Sequence, residues 1–403
     1  MAIETKVIEV PDHFSWPTDA PYSHAVQAGQ FLFVGGQVAL DAKGRVIGPG
    51  DIEVQTRAAF ENLTKVLRAA GADWRNVVTM NTFYDHAVEG PEVEEGWKRM
   101  TRVRLEFLPK PAGPCGTGLR AKLPLDGLMI QVEVVAVLPP AHDTRVRLMP
   151  EELWDWPIPG PFTQGWQVGD YVFVGGQISA DRSFNVLGQQ DLELQTRNIS
   201  DNIGTVLRLG GTDWTNAIRL KAFYDVPDSG PVRRVHGTYS PELGPVITAA
   251  QTPLAAAGLL LETEAIAVRP GVKKEAIIAD ELYREQPFVH AWRVGDFVFI
   301  GAQGATSKSG ACGGDLSSQT RKMYDNFSQV LAAAGTDWEH VVKLNTYWAP
   351  EIAGLSLAEQ YQSVASVRST YLGKTRPVET SIRMGLPYPG CLIQSDGVAI
   401  VAK

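Results

Sequence analysis

Residues 55–74 read QTRAAFENLTKVLRAAGADW, and closely similar stretches occupy residues 195–214 (QTRNISDNIGTVLRLGGTDW) and 319–338 (QTRKMYDNFSQVLAAAGTDW). In the first copy, Leu63, Val66 and Leu67 follow the i, i+3, i+4 spacing of a helix that packs one face on a core. A long helix that recurs three times in one chain indicates three repeats, and each repeat is expected to fold in the same way.

Each copy of this helix carries start and stop signals at matching places. An aspartate stands four residues before the glutamine, where its carboxylate suits the N-cap, and a glycine follows the last apolar turn, where it ends a helix. These residues are Asp51, Asp191 and Asp315 at the start and Gly71, Gly211 and Gly335 at the end. The same boundaries are therefore predicted for all three helices.

Strand-like segments surround each helix in a constant order. In the first repeat, QFLFVGGQ (30–37) precedes the helix and NVVTMNTFYD (76–85) follows it. After a second, less regular helix, the repeat closes with two strands, the last within LMIQVEVVAV (128–137). The predicted order is β-β-α-β-α-β-β, an α+β architecture. Proline-rich and charged segments between these units indicate linkers. The repeats are placed at residues 1–140, 141–270 and 271–403.

The composition of the chain indicates which classes of partner it is expected to lack. The 403 residues carry a formal net charge of −8 and no run of lysine or arginine, which argues against a nucleic-acid partner. No apolar stretch approaches the ~20 residues that span a bilayer, so no membrane partner is expected. The N-terminal residues lack the pattern of a secretion signal, and Cys115, Cys312 and Cys391 are widely spaced and odd in number. These features predict a cytoplasmic protein without a disulfide framework.

The FVGGQ strand end, the QTR…AGxDW helix and the closing VEVVAV or ETEAIAV strand together resemble the RidA family (YjgF/YER057c/UK114). The resemblance implies chorismate-mutase-like units. Members of that family typically form homotrimers with a site in each cleft between subunits, so this chain is expected to be an intramolecular pseudo-trimer. The sheet faces that no helix covers would be buried at the pseudo-threefold axis. Further association into a homo-oligomer is left open by the sequence.

The best-known activity of the family is hydrolysis of reactive enamines and imines, and the resemblance implies which residues here would perform it. A glutamate that handles the attacking water corresponds to a carboxylate in each repeat, and a small polar residue on the preceding strand corresponds to a threonine. These candidate catalytic residues are Glu133, Glu264 and Asp396 with Thr117, Thr248 and Thr380. A carboxylate within an otherwise apolar strand is costly to bury, which favours a functional role.

The arginine that holds the substrate carboxylate in the family is missing from every repeat. Its place is taken by Cys115, Val246 and Val378, which cannot form the paired hydrogen bonds of a guanidinium. The preferred substrate is therefore expected to differ from a simple 2-imino acid, unless another cation substitutes. Arg376 is the nearest candidate for that cation.

Two carboxylates share one face of the last strand in repeat 2 alone. Glu262 stands two residues before Glu264, at the place where the other repeats have Gln131 and Gln394. If both carboxylates are buried, their repulsion raises one pKa and leaves an acid beside a carboxylate, which suits general acid–base catalysis. The alternative is a solvated Glu262 at the mouth of a cleft.

Several further residues are expected to line the clefts. Tyr22 corresponds to a tyrosine of the family's site, and His24 and His290 occupy equivalent places in repeats 1 and 3, where they move protons or only form hydrogen bonds. The candidate substrate-binding residues are Tyr22, His24, His290, Glu262, Gln131, Gln394 and Arg376. The sequence has neither zinc-ligand spacing nor a phosphate-binding glycine loop, so no metal and no cofactor are expected.

The sequence therefore predicts a cofactor-free hydrolase or deaminase that acts on an enamine, an imine or a related C–N bond of a small-molecule substrate. Two alternatives stay open: a lyase, tautomerase or chorismate-type hydrolase on the same scaffold, and a non-catalytic ligand-binding protein. Release of ammonia distinguishes the C–N hydrolase or deaminase from the lyase, tautomerase or chorismate-type hydrolase. A ligand that raises Tm without being converted would indicate the binding protein.

Overall fold

The computed structural model describes residues 3–16, 22–85, 91–240, 243–372 and 376–402, with the backbone alone for residues 91–94. Within these residues the chain forms three six-stranded sheets and six α-helices, so that each repeat has one sheet and two helices. This is the α+β architecture that the repeated sequence predicts. Among the described helices, none is both long and apolar enough to cross a membrane.

The first repeat sets the pattern for the other two. Its elements are β1 (Thr5–Ile8), β2 (Ala25–Ala28), β3 (Phe31–Val38), α1 (Ile52–Ala69), β4 (Val77–Tyr84), α2 (Pro91–Phe107), β5 (Gly118–Arg120) and β6 (Ile130–Val137). The strands lie in the order β1-β2-β3-β6-β4-β5. All neighbours are antiparallel except β4 and β5, which run parallel because α2 carries the chain back between them.

Repeats 2 and 3 reproduce this order. Repeat 2 consists of β7 (Val146–Leu148), β8 (Gly165–Val168), β9 (Tyr171–Ile178), α3 (Leu192–Leu209), β10 (Ala217–Tyr224), α4 (Gly230–Tyr239), β11 (Val246–Gln251) and β12 (Leu261–Val268). Repeat 3 consists of β13 (Lys274–Ile277), β14 (Ala291–Val294), β15 (Phe297–Gly304), α5 (Leu316–Ala333), β16 (Val341–Trp348), α6 (Leu357–Arg368), β17 (Val378–Arg383) and β18 (Ile393–Ile400). Their sheets have the strand order of the first repeat.

Each sheet has one more strand than the sequence predicts. β7 and β13 lie in the segments that the composition indicates as linkers, and they pair with β8 and β14 at the edge of their sheets. Leu148 and Ile277 are buried in the cores of repeats 2 and 3, whereas neighbouring side chains of these strands face solvent. The linker interpretation is therefore wrong for these residues, because even a short alternating stretch can complete a sheet edge.

The predicted helix boundaries are confirmed. The side chain of Asp51 accepts hydrogen bonds from the backbone N–H groups of Glu53 and Val54, and Asp191 and Asp315 cap α3 and α5 in the same way. Past the other end of each helix, the three glycines have φ values of 73°, 73° and 72°. Glycine adopts that backbone conformation without the steric cost that a Cβ imposes.

Replacing Asp191 by alanine is expected to lower the free energy of unfolding by about 1 kcal/mol, because the backbone N–H of Leu194 loses its acceptor. Urea denaturation followed by circular dichroism measures the change. Asp191→Asn keeps a capping oxygen and serves as the matched control, with a much smaller loss expected. An equal loss in both variants would show that the cap is not the source of the effect.

The three sheets meet face to face around a pseudo-threefold axis. Phe31, Tyr171 and Phe297 begin equivalent strands, and their ring centroids lie 5.4, 5.6 and 6.4 Å apart in pairs. They belong to one buried cluster that draws residues from all three repeats. The chain is therefore the intramolecular pseudo-trimer that the sequence predicts. Burial of the apolar sheet faces stabilises the association of the three repeats.

The helices form the outer layer. In repeat 1, Phe60 and Leu63 of α1 are buried with Leu32 and Val134 of the sheet, and each of the other repeats has a corresponding core between its helices and its sheet. Every sheet is thus covered on one face by its own helices and on the other by the neighbouring sheets. The clefts between repeats open where these two layers meet.

The cysteines differ from the sequence-based expectation. Cys312, which precedes α5, and Cys391, which precedes β18, form a disulfide with Cα atoms 5.0 Å apart. Cys115 is free and buried. Sequence spacing cannot reveal this pair, because 79 residues separate its members and only the folded third repeat brings them together.

Candidate active site

The axis-facing sides of β4, β10 and β16 carry polar residues between two apolar layers. These residues are Thr79 and Asn81, Arg219 and Lys221, and Lys343 and Asn345. Across the sheets they pair with the last strands, in the registers Asn81–Glu133, Lys221–Glu264 and Asn345–Asp396. Three carboxylates and three cations therefore meet near the axis. We call Glu133, Glu264, Asp396, Arg219, Lys221 and Lys343 the axial charge cluster.

Glu133 is held mainly by repeat 3. Its carboxylate accepts hydrogen bonds from Lys343 Nζ at 2.6 Å, Asn345 Nδ2 at 2.6 Å and Thr380 Oγ1 at 2.5 Å, and it is 4% exposed. Burial alone would raise the pKa of this carboxyl, but the ammonium groups of Lys343 and Lys221 and these hydrogen bonds lower it to about 2. Glu133 is therefore an ionised and fully engaged side chain that joins two repeats.

Asp396 repeats this arrangement one step around the axis. Lys221 Nζ of repeat 2 lies 3.1 Å from its carboxylate, and Tyr347 OH donates a hydrogen bond to it at 3.2 Å. Thr248, the candidate threonine of repeat 2, is buried on β11 opposite Lys221. Burial, followed by the neighbouring Arg219, lowers the pKa of Lys221, and Asp396 counteracts both. This pair is also buried and shared between repeats.

Glu264 is the most accessible of the three carboxylates. It accepts hydrogen bonds from Asn81 Nδ2 at 3.0 Å and Thr117 Oγ1 at 3.1 Å, both in repeat 1. Its side chain retains 16% exposure, against 5% for Glu133 and 1% for Asp396. It also lines a cavity of about 40 Å³. Glu133 lines the same cavity, but the side chain of Glu264 is the more exposed of the two.

The cleft between repeats 1 and 2, which we call cleft 1–2, contains a cavity of about 80 Å³. Its polar side chains come from Arg104 and Thr117 of repeat 1 and from Glu262 of repeat 2. Its aromatic walls are Trp97, Trp154, Trp156, Phe162 and Phe184. Thr117 lies between two carboxylates, because it lines this cavity with Glu262 while it donates its hydroxyl to Glu264.

Glu262 is 7% exposed, so it is not the solvated residue of the alternative interpretation. Burial is the main reason that the pKa of its carboxyl rises to about 8, the nearby carboxylate of Glu264 raises it further, and the backbone N–H of Gly118 partly counteracts both. At neutral pH it is therefore largely a neutral acid. A Cβ at Gly176 would lie 2.0 Å from a carboxyl oxygen of Glu262, so a larger residue there would force this side chain to move.

The cleft between repeats 2 and 3 contains a cavity of about 70 Å³ that is lined by His290 and Gln394. Gln394 donates its amide N–H to Ala249 O at 2.7 Å. His290 accepts the N–H of Ala279 at Nδ1, so its Nε2 donates to Tyr283 O. Burial lowers the pKa of His290. The amide of Gln394 thus occupies the position in this cleft that the carboxyl of Glu262 occupies in cleft 1–2.

In the cleft between repeats 3 and 1, described side chains of the two repeats contact each other. Tyr22 OH shares a hydrogen bond with Tyr361 OH. Behind them, the guanidinium of Arg368 forms a buried ion pair with Glu379 and donates to Tyr324 OH at 2.8 Å. The candidate wall tyrosine of repeat 1 therefore bonds across this cleft to repeat 3.

The remaining candidates lie around the same cleft or outside it. Gln131 is fully buried, and its amide has no hydrogen-bond partner among the described residues. His24 bonds through Nε2 to Phe14 O at 2.9 Å, and burial lowers its pKa to about 4. Arg376 is exposed and lines none of the cavities named above. Within the described residues, no group of three His, Cys, Asp or Glu side chains is placed to hold a metal ion.

Two features of the site were not predicted from the sequence. The cations of the axial charge cluster could have been found in the sequence, because NAIRLKAFYD (216–225) and HVVKLNTYWA (340–349) place charged residues within otherwise apolar strands. The sequence gives a weaker indication of a role for Arg104. Arg368 occupies the corresponding helix position in repeat 3, but the second helices differ too much in sequence to be aligned without the structure.

Fold and clefts together define a class of protein: three α+β repeats around a pseudo-threefold axis, with small cavities between repeats. A family model described as endoribonuclease L-PSP matches the chain three times, at residues 15–137, 157–269 and 278–400. These matches cover most of the sequence, so the chain belongs to this family. The resemblance drawn from the repeated motifs is confirmed.

Individual relatives match one repeat at a time. A RutC family protein from Synechocystis is 32% identical over 121 residues, which are 30% of this chain and 87% of that protein. A 2-iminobutanoate/2-iminopropanoate deaminase from Dermatophagoides farinae is 28% identical over 118 residues, which are 29% of this chain and 86% of that protein. One from Mus musculus is 41% identical over 58 residues, which are 14% of this chain and 43% of that protein.

Solved structures give the same kind of match. A putative endoribonuclease from Thermotoga maritima has 25% identity and a TM-score of 0.29, and the alignment covers 33% of this chain and 97% of that one. A chorismatase has 16% identity and a TM-score of 0.44, with 62% and 80% covered.

Proposed function

We propose that the chain hydrolyses an imine, an enamine or a related C–N bond of a small-molecule substrate in cleft 1–2, without a cofactor. The observation that supports this most strongly is Glu262, a buried acid that lines the cavity and lies near the second carboxylate, Glu264. An acid with a pKa of about 8 is matched to proton transfer near neutral pH. The two relatives named as imine deaminases support hydrolysis of a C=N bond as the reaction class.

Glu262 can act first as an acid and then as a base. It gives its proton to the imine nitrogen, and the resulting carboxylate takes a proton from the water that adds to the carbon. The carbinolamine formed in this way receives the proton on nitrogen, loses ammonia and returns its hydroxyl proton to Glu262 as the carbonyl forms. One water is consumed and one ammonia released, and Glu262 ends in its starting state.

Glu264 and Thr117 have supporting roles in this proposal. Thr117 lines the cavity and donates its hydroxyl to Glu264, which places the Glu264 carboxylate directly behind the wall of the reaction site. A negative charge at that place stabilises the iminium cation that forms when the nitrogen is protonated. Asn81 donates to Glu264 from the other side and fixes its orientation.

Cleft 1–2 is proposed as the reactive one because the other clefts carry amides where it has an acid. Gln394 lines the cleft between repeats 2 and 3, and Gln131 stands at the same place in repeat 1. An amide forms hydrogen bonds but does not release a proton near neutral pH. In this proposal Glu133 and Asp396, together with Thr248 and Thr380, hold the repeats together at the axis rather than attack a substrate.

Ammonia release tests the proposal. Amino-acid oxidases generate 2-iminobutanoate and 2-imino-3-phenylpropanoate in the cuvette, and the wild-type protein is expected to accelerate ammonia release from one or both. The rate should fall above pH about 8, because the acid form of Glu262 is then lost. Acceleration of neither imine would refute imine hydrolysis as the reaction of cleft 1–2. Conversion of an imine without ammonia would indicate a tautomerase or lyase instead.

A further inference from the structure

Arg104 is a buried cation for which the described residues supply no hydrogen-bond or ion-pair partner. It is 7% exposed and lines the cavity of cleft 1–2, and its guanidinium forms neither a hydrogen bond nor an ion pair within the described residues. Among the described side chains it lies against the ring of Phe162, whose centroid is 5.2 Å away, and near Tyr84, whose hydroxyl likewise has no hydrogen-bond partner among the described residues. Burial lowers the pKa of Arg104 to about 10, so it remains charged at neutral pH.

The same position in the other repeats shows what Arg104 lacks. In repeat 3, Arg368 is satisfied by the hydroxyl of Tyr324 on α5 and by the carboxylate of Glu379 on β17. In repeat 2, His236 bonds to Ser200 on α3 at 3.0 Å and lies 3.4 Å from Thr263 Oγ1. Both of those repeats therefore supply polar partners to this position.

Repeat 1 keeps the cation and has lost both of its partners. Phe60 occupies the place of Tyr324 and has no hydroxyl, and Gly116 occupies the place of Glu379 and has no side chain. Gly116 lines the same cavity as Arg104, and a Cβ there would lie 1.9 Å from the backbone O of Met80, so this position offers the guanidinium no side chain. A buried and unpaired charge is costly, and an anion that enters the cavity removes that cost.

We propose that Arg104 binds the carboxylate of the ligand in cleft 1–2, and that this ligand is an organic acid with a planar aromatic or apolar body. The guanidinium replaces the missing strand arginine from another element, the helix α2. A carboxylate fits its paired donors, and the surrounding tryptophan and phenylalanine rings fit a planar or apolar group. The cavity of about 80 Å³ holds the acid group, while the body extends along the aromatic walls toward the mouth.

This inference deepens the proposed function and rests on it for the identity of the ligand as a substrate. It also changes the substrate expectation: with Arg104 in place, an acidic imine is accommodated despite Cys115 at the usual arginine position. Arg376 is not needed as a substitute.

Calorimetric titration with phenylacetate and its neutral isostere phenylacetamide tests the role of Arg104. Wild type is expected to bind the acid at least about tenfold more tightly than the amide, because a charge-assisted paired hydrogen bond forms only with the acid. Arg104→Gln is expected to lose that preference, and Arg104→Lys to retain part of it. Arg102→Gln removes an exposed charge from the same helix and should bind like wild type.

Thermal denaturation without ligand separates binding from a structural role. Because Arg104 is unpaired, Arg104→Met is expected to keep or raise the Tm of the empty protein, whereas removal of a structural arginine lowers it. Phenylacetate should raise the Tm of wild type and leave that of Arg104→Met unchanged.

The outcomes distinguish this inference from the proposed function. Equal binding of acid and amide, unchanged binding in Arg104→Gln, or no binding of phenylacetate at millimolar concentration would each overturn the role of Arg104. Ammonia release that does not depend on Arg104 would leave the proposed function standing alone. Arg104-dependent binding without any turnover would support the anion site and refute the hydrolase.

Discussion

Glu262→Gln is expected to lower kcat/KM for ammonia release by about 10²–10⁴-fold while the protein still binds its ligand. The amide keeps the size of the side chain and a hydrogen-bond donor, but it cannot give a proton to the imine nitrogen or take one from water. Binding survives because the aromatic walls and Arg104 are untouched. Steady-state assays on an imine that the wild type converts, together with calorimetry on the same variant, measure both quantities.

A matched control for this variant is Glu193→Gln, which removes a carboxylate of the same repeat from an exposed ion pair with Arg234. It should turn over like wild type. If Glu262→Gln retains full activity, or if Glu193→Gln loses as much, the acid in cleft 1–2 does not perform the reaction.

Glu133→Gln is expected to lower the free energy of unfolding by about 3–5 kcal/mol, because it leaves the ammonium of Lys343 buried without its counter-charge. The depressed pKa of Glu133 gives this contribution a pH dependence. It is fully present above the ordinary carboxyl pKa of 4.5 and is lost as the pH falls toward about 2. Urea denaturation at neutral pH and under acidic conditions measures both effects.

Two comparisons show whether the loss comes from the axial charge cluster. Glu106→Gln breaks an exposed ion pair with Arg57 and should cost no more than about 1 kcal/mol. Combining Glu133→Gln with Lys343→Met should cost less than the sum of the single losses, because the second change removes the charge that the first leaves unpaired. Additive losses would indicate that the two side chains are not coupled.

Most of the fold could be predicted because the sequence repeats it three times. The N-cap aspartates and the glycines after the helices are local signals, and each of them has the predicted role. The edge strands β7 and β13 could not be predicted, since three or four alternating residues within a charged segment give too weak a pattern. The disulfide of Cys312 with Cys391 depends on tertiary proximity alone.

The site is harder to predict, because its chemistry depends on which repeat faces which. Glu133 was identifiable from its strand, but its partner Lys343 lies 210 residues away in repeat 3. Arg104 lacks partners because Phe60 has no hydroxyl and Gly116 has no carboxylate, whereas the corresponding residues of repeat 3 supply both groups to Arg368. Only a comparison of the folded repeats reveals this difference. The raised pKa of Glu262 likewise requires burial that the strand pattern does not specify.

An infrared titration of the Glu262 carboxyl shows whether cleft 1–2 holds a proton donor, and it needs no knowledge of the substrate. The difference spectrum between wild type and Glu262→Gln isolates the carbonyl band of this one acid. The band should be present at pH 7 and disappear with a midpoint near the raised pKa of about 8. A midpoint near 4.5, the ordinary value for a glutamate, would mean that Glu262 is ionised at neutral pH and cannot be the acid of this reaction.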